Sequence, residues 1–243
     1  MSVPTDPRAW DHTWDPQLES AVPDLYGPTL ENHVDATKLA FLGADLPRAG
    51  RAVEVGCGSA RLLARVARAA PLELVGVDAS PSALRLVLRT TAATGTRIRP
   101  VLGDARALPV RSGSCALVLS GGLLEHFPDP RPVLAEMVRI LAPGGVLYAD
   151  VVPRRFSLFR LRELPRMIRS AELMPGVHES TRGPGGYRRL LEELGCAGIR
   201  IRSAGVYPPF GTLGWARRTR ALDGMPIAGL LGWYFMIVAR RAG

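Results

Sequence analysis

The sequence predicts an α/β fold built on a doubly wound, mostly parallel sheet. Three observations lead there. Short apolar runs over 52–55, 72–77, 97–102, 115–119 and 146–152 alternate with helix-patterned stretches. The run RAVEVGCGSARLL, residues 51–63, reads as strand, glycine turn and helix start in succession. Acidic residues, Asp78 and Asp104, stand just past the second and third apolar runs, at the strand ends where an open parallel sheet meets its ligands.

Taken in order, residues 1–28 are rich in proline, aspartate and aromatics, with Trp10, Trp14 and Tyr26. They predict an irregular segment with a short helix, either a lid over the site or a strap that buries its tryptophans. Residues 29–46 read as a helix with Thr29 as N-cap. The first strand, 52–55, is interrupted only by Glu54. Gly56 and Gly58 then allow positive φ and let a ligand approach a backbone without Cβ atoms. The N–H groups opening the next helix favour an electron-rich ligand group. The second strand ends at Asp78 and is followed by Ala79, with Ser80 and Pro81 as N-cap and first residue of a helix over 81–93. A third strand leads to Gly103, Asp104 and Ala105. A fourth ends in Ser120, Gly121 and Gly122, followed by Leu123, Leu124, Glu125, His126 and Phe127. A helix over 132–141 and a Pro-Gly-Gly stop precede the fifth strand. Beyond it, aliphatic and aromatic residues alternate with arginines over 154–169, a basic amphipathic pattern broken by Pro165. A helix within 185–195, a sixth strand over 199–203, a long irregular link and a last strand over 234–238 complete the chain.

Charge is unevenly placed. Residues 1–150 carry 15 basic and 16 acidic side chains, residues 151–243 carry 16 and 6. Lys38 is the only lysine among 31 basic residues. A basic final third suits an anionic substrate, a membrane surface or nucleic acid, or is a solvated face. The three cysteines are widely spaced. They suggest neither a disulfide framework nor a metal site, and they fit a reducing, cytoplasmic setting. No signal-like or membrane-spanning run is expected.

Two ligand classes use such a glycine turn. A dinucleotide site wants G-x-G-x-x-G, but the third position counted from Gly56 is Arg61. The pattern Glu54-x-Gly56-x-Gly58-x-Ala60 instead resembles the first motif of class I S-adenosylmethionine methyltransferases, with Ala60 where that motif ends in glycine. The run GDARALPVRSGSCALVLS and the Glu125-His126 pair after the fourth strand resemble further segments of that family, notably its ubiquinone/menaquinone-type small-molecule members. The resemblance covers 50–152. It implies a Rossmann-like seven-stranded sheet whose last strand runs antiparallel between the fifth and sixth. It also implies one domain over 1–243, divided into an N-terminal lid and helix (1–46), a cofactor core (50–152) and cap insertions with the last strands (153–243).

The cofactor implied is S-adenosyl-L-methionine, with S-adenosyl-L-homocysteine as product. The residues expected to hold it are Glu54, Gly56, Gly58, Asp78, Ala79, Asp104, Ala105 and Ser120. Asp78 would accept the ribose hydroxyls, or else cap a helix. Asp104 would meet the adenine amino group, and the Ala105 N–H a ring nitrogen. His126 is the first candidate for a base, or else packs beside the cofactor. Glu125 is a second candidate and Asp150 a weaker one. The acceptor expected is a small amphiphilic or anionic molecule, such as a prenyl diphosphate, a quinone precursor or a lipid-like metabolite. Peripheral membrane contact is allowed and nucleic acid disfavoured. An RNA-directed enzyme and a non-catalytic cofactor-binding protein are the alternatives.

Overall fold

β-Branched and aliphatic runs form the sheet, and every strand but the one that opens at Leu141 directly after a helix lies between glycine- or proline-marked turns. The structure, a computed structural model, describes residues 7–20, 24–161, 177–208 and 212–243. The basic alternating pattern expected over 154–169 lies outside the described residues beyond residue 161.

In chain order the elements are α1 (Pro7–Glu19), α2 (Leu30–Leu42), β1 (Arg51–Val55), α3 (Arg61–Ala69), β2 (Glu73–Asp78), α4 (Pro81–Thr94), β3 (Ile98–Leu102) and β4 (Cys115–Gly121). They continue with α5 (Arg131–Ile140), β5 (Leu141–Val151), α6 (Pro184–Glu193), β6 (Cys196–Ala204), α7 (Leu213–Thr219), α8 (Pro226–Leu231) and β7 (Tyr234–Arg241). The sheet has seven strands in the order β3-β2-β1-β4-β5-β7-β6. β1 to β5 pair in parallel, and β7 runs antiparallel between β5 and β6. The expected topology is therefore the observed one.

The period-2 alternation of the strands divides the core in two. Val53 and Val55 of β1 point to the face covered by α5 and α6, with Val118, Leu147 and Phe235. Ala52 points the other way, toward α2, α3 and α4, with Leu117, Leu119, Tyr148 and Met236. The same alternation puts Glu54 of β1 and Asp150 of β5 on this second face. Both are buried there.

Three stretches differ from expectation. β5 begins at Leu141, so the Pro143-Gly144-Gly145 stop expected before it lies inside the strand. The N-terminal stretch is not mainly irregular, since α1 runs 13 residues despite Pro16 within it. Its aspartates face α4: the Ser80 hydroxyl donates to Asp11, and that of Ser82 to Asp15 at 2.5 Å. Arg89 of α4 donates to the carbonyls of Gln17, Leu18 and Ser20, the unpaired groups of the α1 C-terminus. The link between β6 and β7 is also not irregular throughout, because α7 and α8 form within it. Elsewhere the expected signals act as read. The Thr29 hydroxyl accepts from the Asn32 N–H at the start of α2, and the Ser80 hydroxyl from the Ala83 N–H at the start of α4.

Candidate active site

A cavity of about 440 Å³ opens at the carboxyl ends of β1, β2 and β4, within the roughly 300–1,000 Å³ of small-ligand sites. Its lining includes Glu54, Gly56, Gly58, Asp78, Ala79, Asp104, Ala105 and His126. Eight of the eleven residues singled out from the sequence are thus brought to one space.

The glycine turn is built as the sequence implies. Gly56 and Gly58 have φ of 66° and 50°, where a side chain is strained. The N–H groups of Gly56 and Cys57 donate to the Val77 carbonyl, tying the turn to the end of β2. A Cβ on Gly58 would stand 2.7 Å from the Trp14 ring, and one on Gly56 2.7 Å from Leu123. The turn therefore requires glycine for both backbone and space. Ala60, the departure from the family pattern, adopts φ 55°, and its methyl is fully buried.

Asp78 sits where β2 meets this turn. Its carboxylate accepts the Gly58 N–H and the Ser80 N–H, each at 2.9 Å. Burial pushes its pKa up, and those backbone donors oppose the shift. The helix-cap alternative falls to Ser80, leaving Asp78 facing the cavity. At the other side of the β2 end, the Asp104 carboxylate is held by the Arg106 guanidinium at 2.7 Å, which keeps it below the usual carboxylate range.

Glu54 lies deeper. Its carboxylate accepts the Leu63 N–H at 3.3 Å, so it serves one of the free donors at the start of α3 itself. Burial dominates and raises it to about 8. Lys38, which the sequence showed only as a lone lysine, reaches the same floor from α2 and pairs with Asp150 at 2.9 Å. Burial opposes its charge, but Asp150, with Asp35 and Glu54 behind it, outweighs that and holds the ammonium above its ordinary pKa. Gly121 makes room, since a Cβ there would stand 3.3 Å from Asp150. Asp35 and Glu31 also line the cavity and both pair with Arg61.

His126 lines the cavity beside Trp10, whose ring meets the imidazole edge-on with centroids 4.7 Å apart. Its Nδ1 lies 2.9 Å from the His178 carbonyl. A carbonyl only accepts, so Nδ1 carries the proton and Nε2 is the accepting nitrogen of the neutral ring. Burial lowers the imidazole pKa, which keeps that neutral form at pH 7.

Three expected residues lie outside the lining: Asp150, paired with Lys38 as above, Glu125 and Ser120. Glu125 is buried away from the cavity lining, and its carboxylate accepts the Val152 N–H at 3.0 Å while its carbonyl accepts the Ser180 N–H at 2.7 Å. Burial raises its carboxyl to about 8. It ties the turn after β4 to the end of β5, a position set by the inward side of that turn. Ser120 is fully buried within β4, with no partner for its hydroxyl among the described residues. The strand alternation points it into the sheet's covering layer rather than out of the strand end. Among the lining residues missed from sequence are Glu31, Asp35 and Lys38. The single lysine was the available signal. Among the described residues, no group of three His, Cys, Asp or Glu side chains is placed to hold a metal, and no helix is long and apolar enough to cross a membrane.

Residues 53–149 match the family model described as a methyltransferase domain. The chain is 28% identical over 197 residues to a ubiquinone biosynthesis O-methyltransferase of Ralstonia nicotianae, covering 80% of this chain and 76% of that protein. Its fold is similar to magnesium protoporphyrin IX methyltransferase from Synechocystis, with a TM-score of 0.63, 15% identity and coverage of 97% of this chain and 98% of the other. It is also similar to geranyl diphosphate C-methyltransferase from Streptomyces coelicolor, with a TM-score of 0.61, 16% identity and coverage of 88% and 80%. The glycine turn, the strand order and these likenesses agree: the chain carries a methyltransferase domain over residues 53–149, on the fold of S-adenosylmethionine-dependent methyltransferases.

Proposed function

We propose that this methyltransferase acts on a flat, largely apolar small molecule bearing a hydroxyl or amine, with a prenylated or aromatic quinone precursor as the best-fitting class. The observation that carries the reading is the composition of the cavity around His126. Trp10, Leu123 and Phe127 line it there. The two arginines of the lining, Arg61 and Arg106, are each engaged by carboxylates. A diphosphate would have to compete with those carboxylates, whereas an aromatic or isoprenoid surface meets rings and a leucine directly. The O-methyltransferase relative in ubiquinone biosynthesis supports the same class.

The residues fit the cofactor. A carboxylate at a strand tip suits two sugar hydroxyls, and Asp78 is that group. Gly56 and Gly58 form the turn that lines the cavity, with Trp14 and Leu123 packed where a Cβ would stand. Glu54, Asp35 and Lys38 line the floor where an amino-acid tail would lie. Ala79, Asp104 and Ala105 flank the place of the base. When bound, S-adenosylmethionine supplies a methyl group already activated on a sulfonium. The protein's part is then orientation, exclusion of water by α1, and removal of the acceptor's proton. His126 is the group for that last task, its Nε2 set as acceptor by the Nδ1 hydrogen bond.

The test is product analysis with three acceptors: a prenylated dihydroxybenzene, geranyl diphosphate and a transfer RNA. Methylation of the first, with His126→Ala cutting turnover by about 100-fold while S-adenosylhomocysteine binds unchanged, is the expected result. Methylation of the diphosphate or the RNA alone would overturn the acceptor class.

A further inference from the structure

Outside the cavity, the most unusual surface lies between β6 and β7. α7, a short turn and α8 fill this connection, and it presents Trp215, Met225, Ile227 and Leu230 to solvent. Trp215 is 46% exposed and Leu230 66%. Phe156, 43% exposed, joins them from the segment after β5. That segment is clasped to α8, because Arg155 donates to the carbonyls of Gly229 and Gly232 and the Leu158 N–H to that of Leu231. The exposure is therefore not that of a loose loop. The Gly224 N–H donates to the Ser203 carbonyl, and the Asp223 carboxylate accepts the Gly205 N–H, so the connection is pinned to the end of β6. Exposed apolar side chains held this firmly mark a contact surface.

Charge selects the partner. Arg217, Arg218 and Arg220, all exposed, follow Trp215 directly. Residues 201–243 hold six arginines and one acid, Asp223, and Asp223 is spent on the pinning just described. Two of the six, Arg240 and Arg241, lie at the opposite end of β7. A second copy of the same face would bring arginine against arginine, and an RNA backbone would leave the leucine, isoleucine and methionine unmatched. An anionic phospholipid surface answers both halves at once. Its phosphates take the arginines while the aliphatic and indole groups enter the headgroup boundary.

The topology adds a reason for the location. β7 is antiparallel, so its first residue, Tyr234, lies at the same sheet edge as the carboxyl ends of β5 and β6. That is the edge on which the cavity opens. α7 also packs on α2, where His33 faces Arg217 and Arg220, and α2 carries Glu31, Asp35 and Lys38 of the cavity lining.

We infer that the α7–α8 face is a peripheral docking surface for an anionic phospholipid bilayer, holding the cavity mouth at the lipid boundary. It stands on surface observations and does not depend on which acceptor the site takes. The test is co-sedimentation of the full chain with vesicles of phosphatidylcholine alone and of phosphatidylcholine with phosphatidylglycerol at three to one. The expected result is binding to the mixed vesicles only. It should weaken by roughly 100-fold in the R217A/R218A/R220A variant, at about a fivefold loss per arginine, and should weaken also in I227S/L230S. Both variants should keep the native affinity for S-adenosylhomocysteine, which shows that they fold. No binding to the mixed vesicles, or binding undiminished in both variants, overturns the proposal. So does sedimentation velocity showing a dimer that L230S abolishes, or RNA binding lost in the arginine variant without vesicle binding.

Discussion

Two buried carboxyls set the acid–base behaviour of single residues here. Glu54 and Glu125 both titrate at about 8, against 4.5 for an exposed glutamate, with burial the first cause. Between those values the folded chain holds protons that the unfolded chain has released. Stability is therefore fully supported below about pH 4.5 and declines as the pH rises toward 8. Glu125→Gln keeps an oxygen for the Val152 N–H and removes the titration. Its melting temperature should fall less than that of the native protein between pH 5 and pH 8, and the variant should be the more stable at pH 8. Parallel melting curves across that range would show that Glu125 does not hold a proton in the folded state. His126 shifts in the opposite sense, downward, so a base role predicts turnover that is lost only below its ordinary pKa of 6.5.

Among the elements, α1 matters most to the site because it supplies Trp10, Trp14 and Gln17 to the cavity while being held by α4. The Arg89 bonds close its C-terminal end, and the Ser80 and Ser82 bonds fix its middle. Arg89→Ala should leave the rest of the fold intact, since Arg89 lies at the edge of α4 and its bonds to α1 are largely exposed. Amide exchange should rise over 7–19 alone, and affinity for S-adenosylhomocysteine should drop by a few-fold. Exchange unchanged in α1 would mean that Trp10 and Trp14 hold the helix without the arginine. The sequence predicted a lid or a strap. The helix is held as a strap and lines the site as a lid, and its i, i+4 pairs Trp10/Trp14 and Asp11/Asp15 carry the two duties on neighbouring faces. Pro16 and the short aspartates hid that period, because both weaken local helix propensity and only packing on α4 overrides them.

At the scale of the whole molecule, the buried pair of Lys38 and Asp150 joins the outer helix layer to the centre of the sheet, with the Tyr148 hydroxyl donating to the same carboxylate at 3.3 Å. Lys38→Met would strand Asp150 without a counter-charge and should cost roughly 3–5 kcal/mol in a denaturant titration. Adding Asp150→Leu should recover most of that loss. An equally unstable double variant would show that the pair is not what couples these layers. Such a link is invisible in the chain. Spacing along a sequence says which face of a strand Asp150 takes, not which helix crosses above it. Strand runs, glycine turns and strand-tip acids were legible because each is local: Glu54, Gly56, Gly58, Asp78 and Asp104 all lie within three residues of a strand end and line one cavity. Ser120 and Glu125 fall outside the cavity lining for the complementary reason. Their side-chain directions depend on how β4 twists into the following turn, and a one-residue change in phase moves a group from the cavity to the core.

The central claim is that the cavity at the ends of β1, β2 and β4 takes the cofactor, with Asp78 holding its sugar. Isothermal titration of the native chain and of Asp78→Ala with S-adenosylhomocysteine tests this most directly, each protein first shown to melt cooperatively without ligand. The account predicts saturable one-to-one binding by the native chain, weakened roughly 10- to 100-fold in the variant through the loss of charge-assisted hydrogen bonds. Absence of binding by the native chain, or equal affinity in the two proteins, would contradict it.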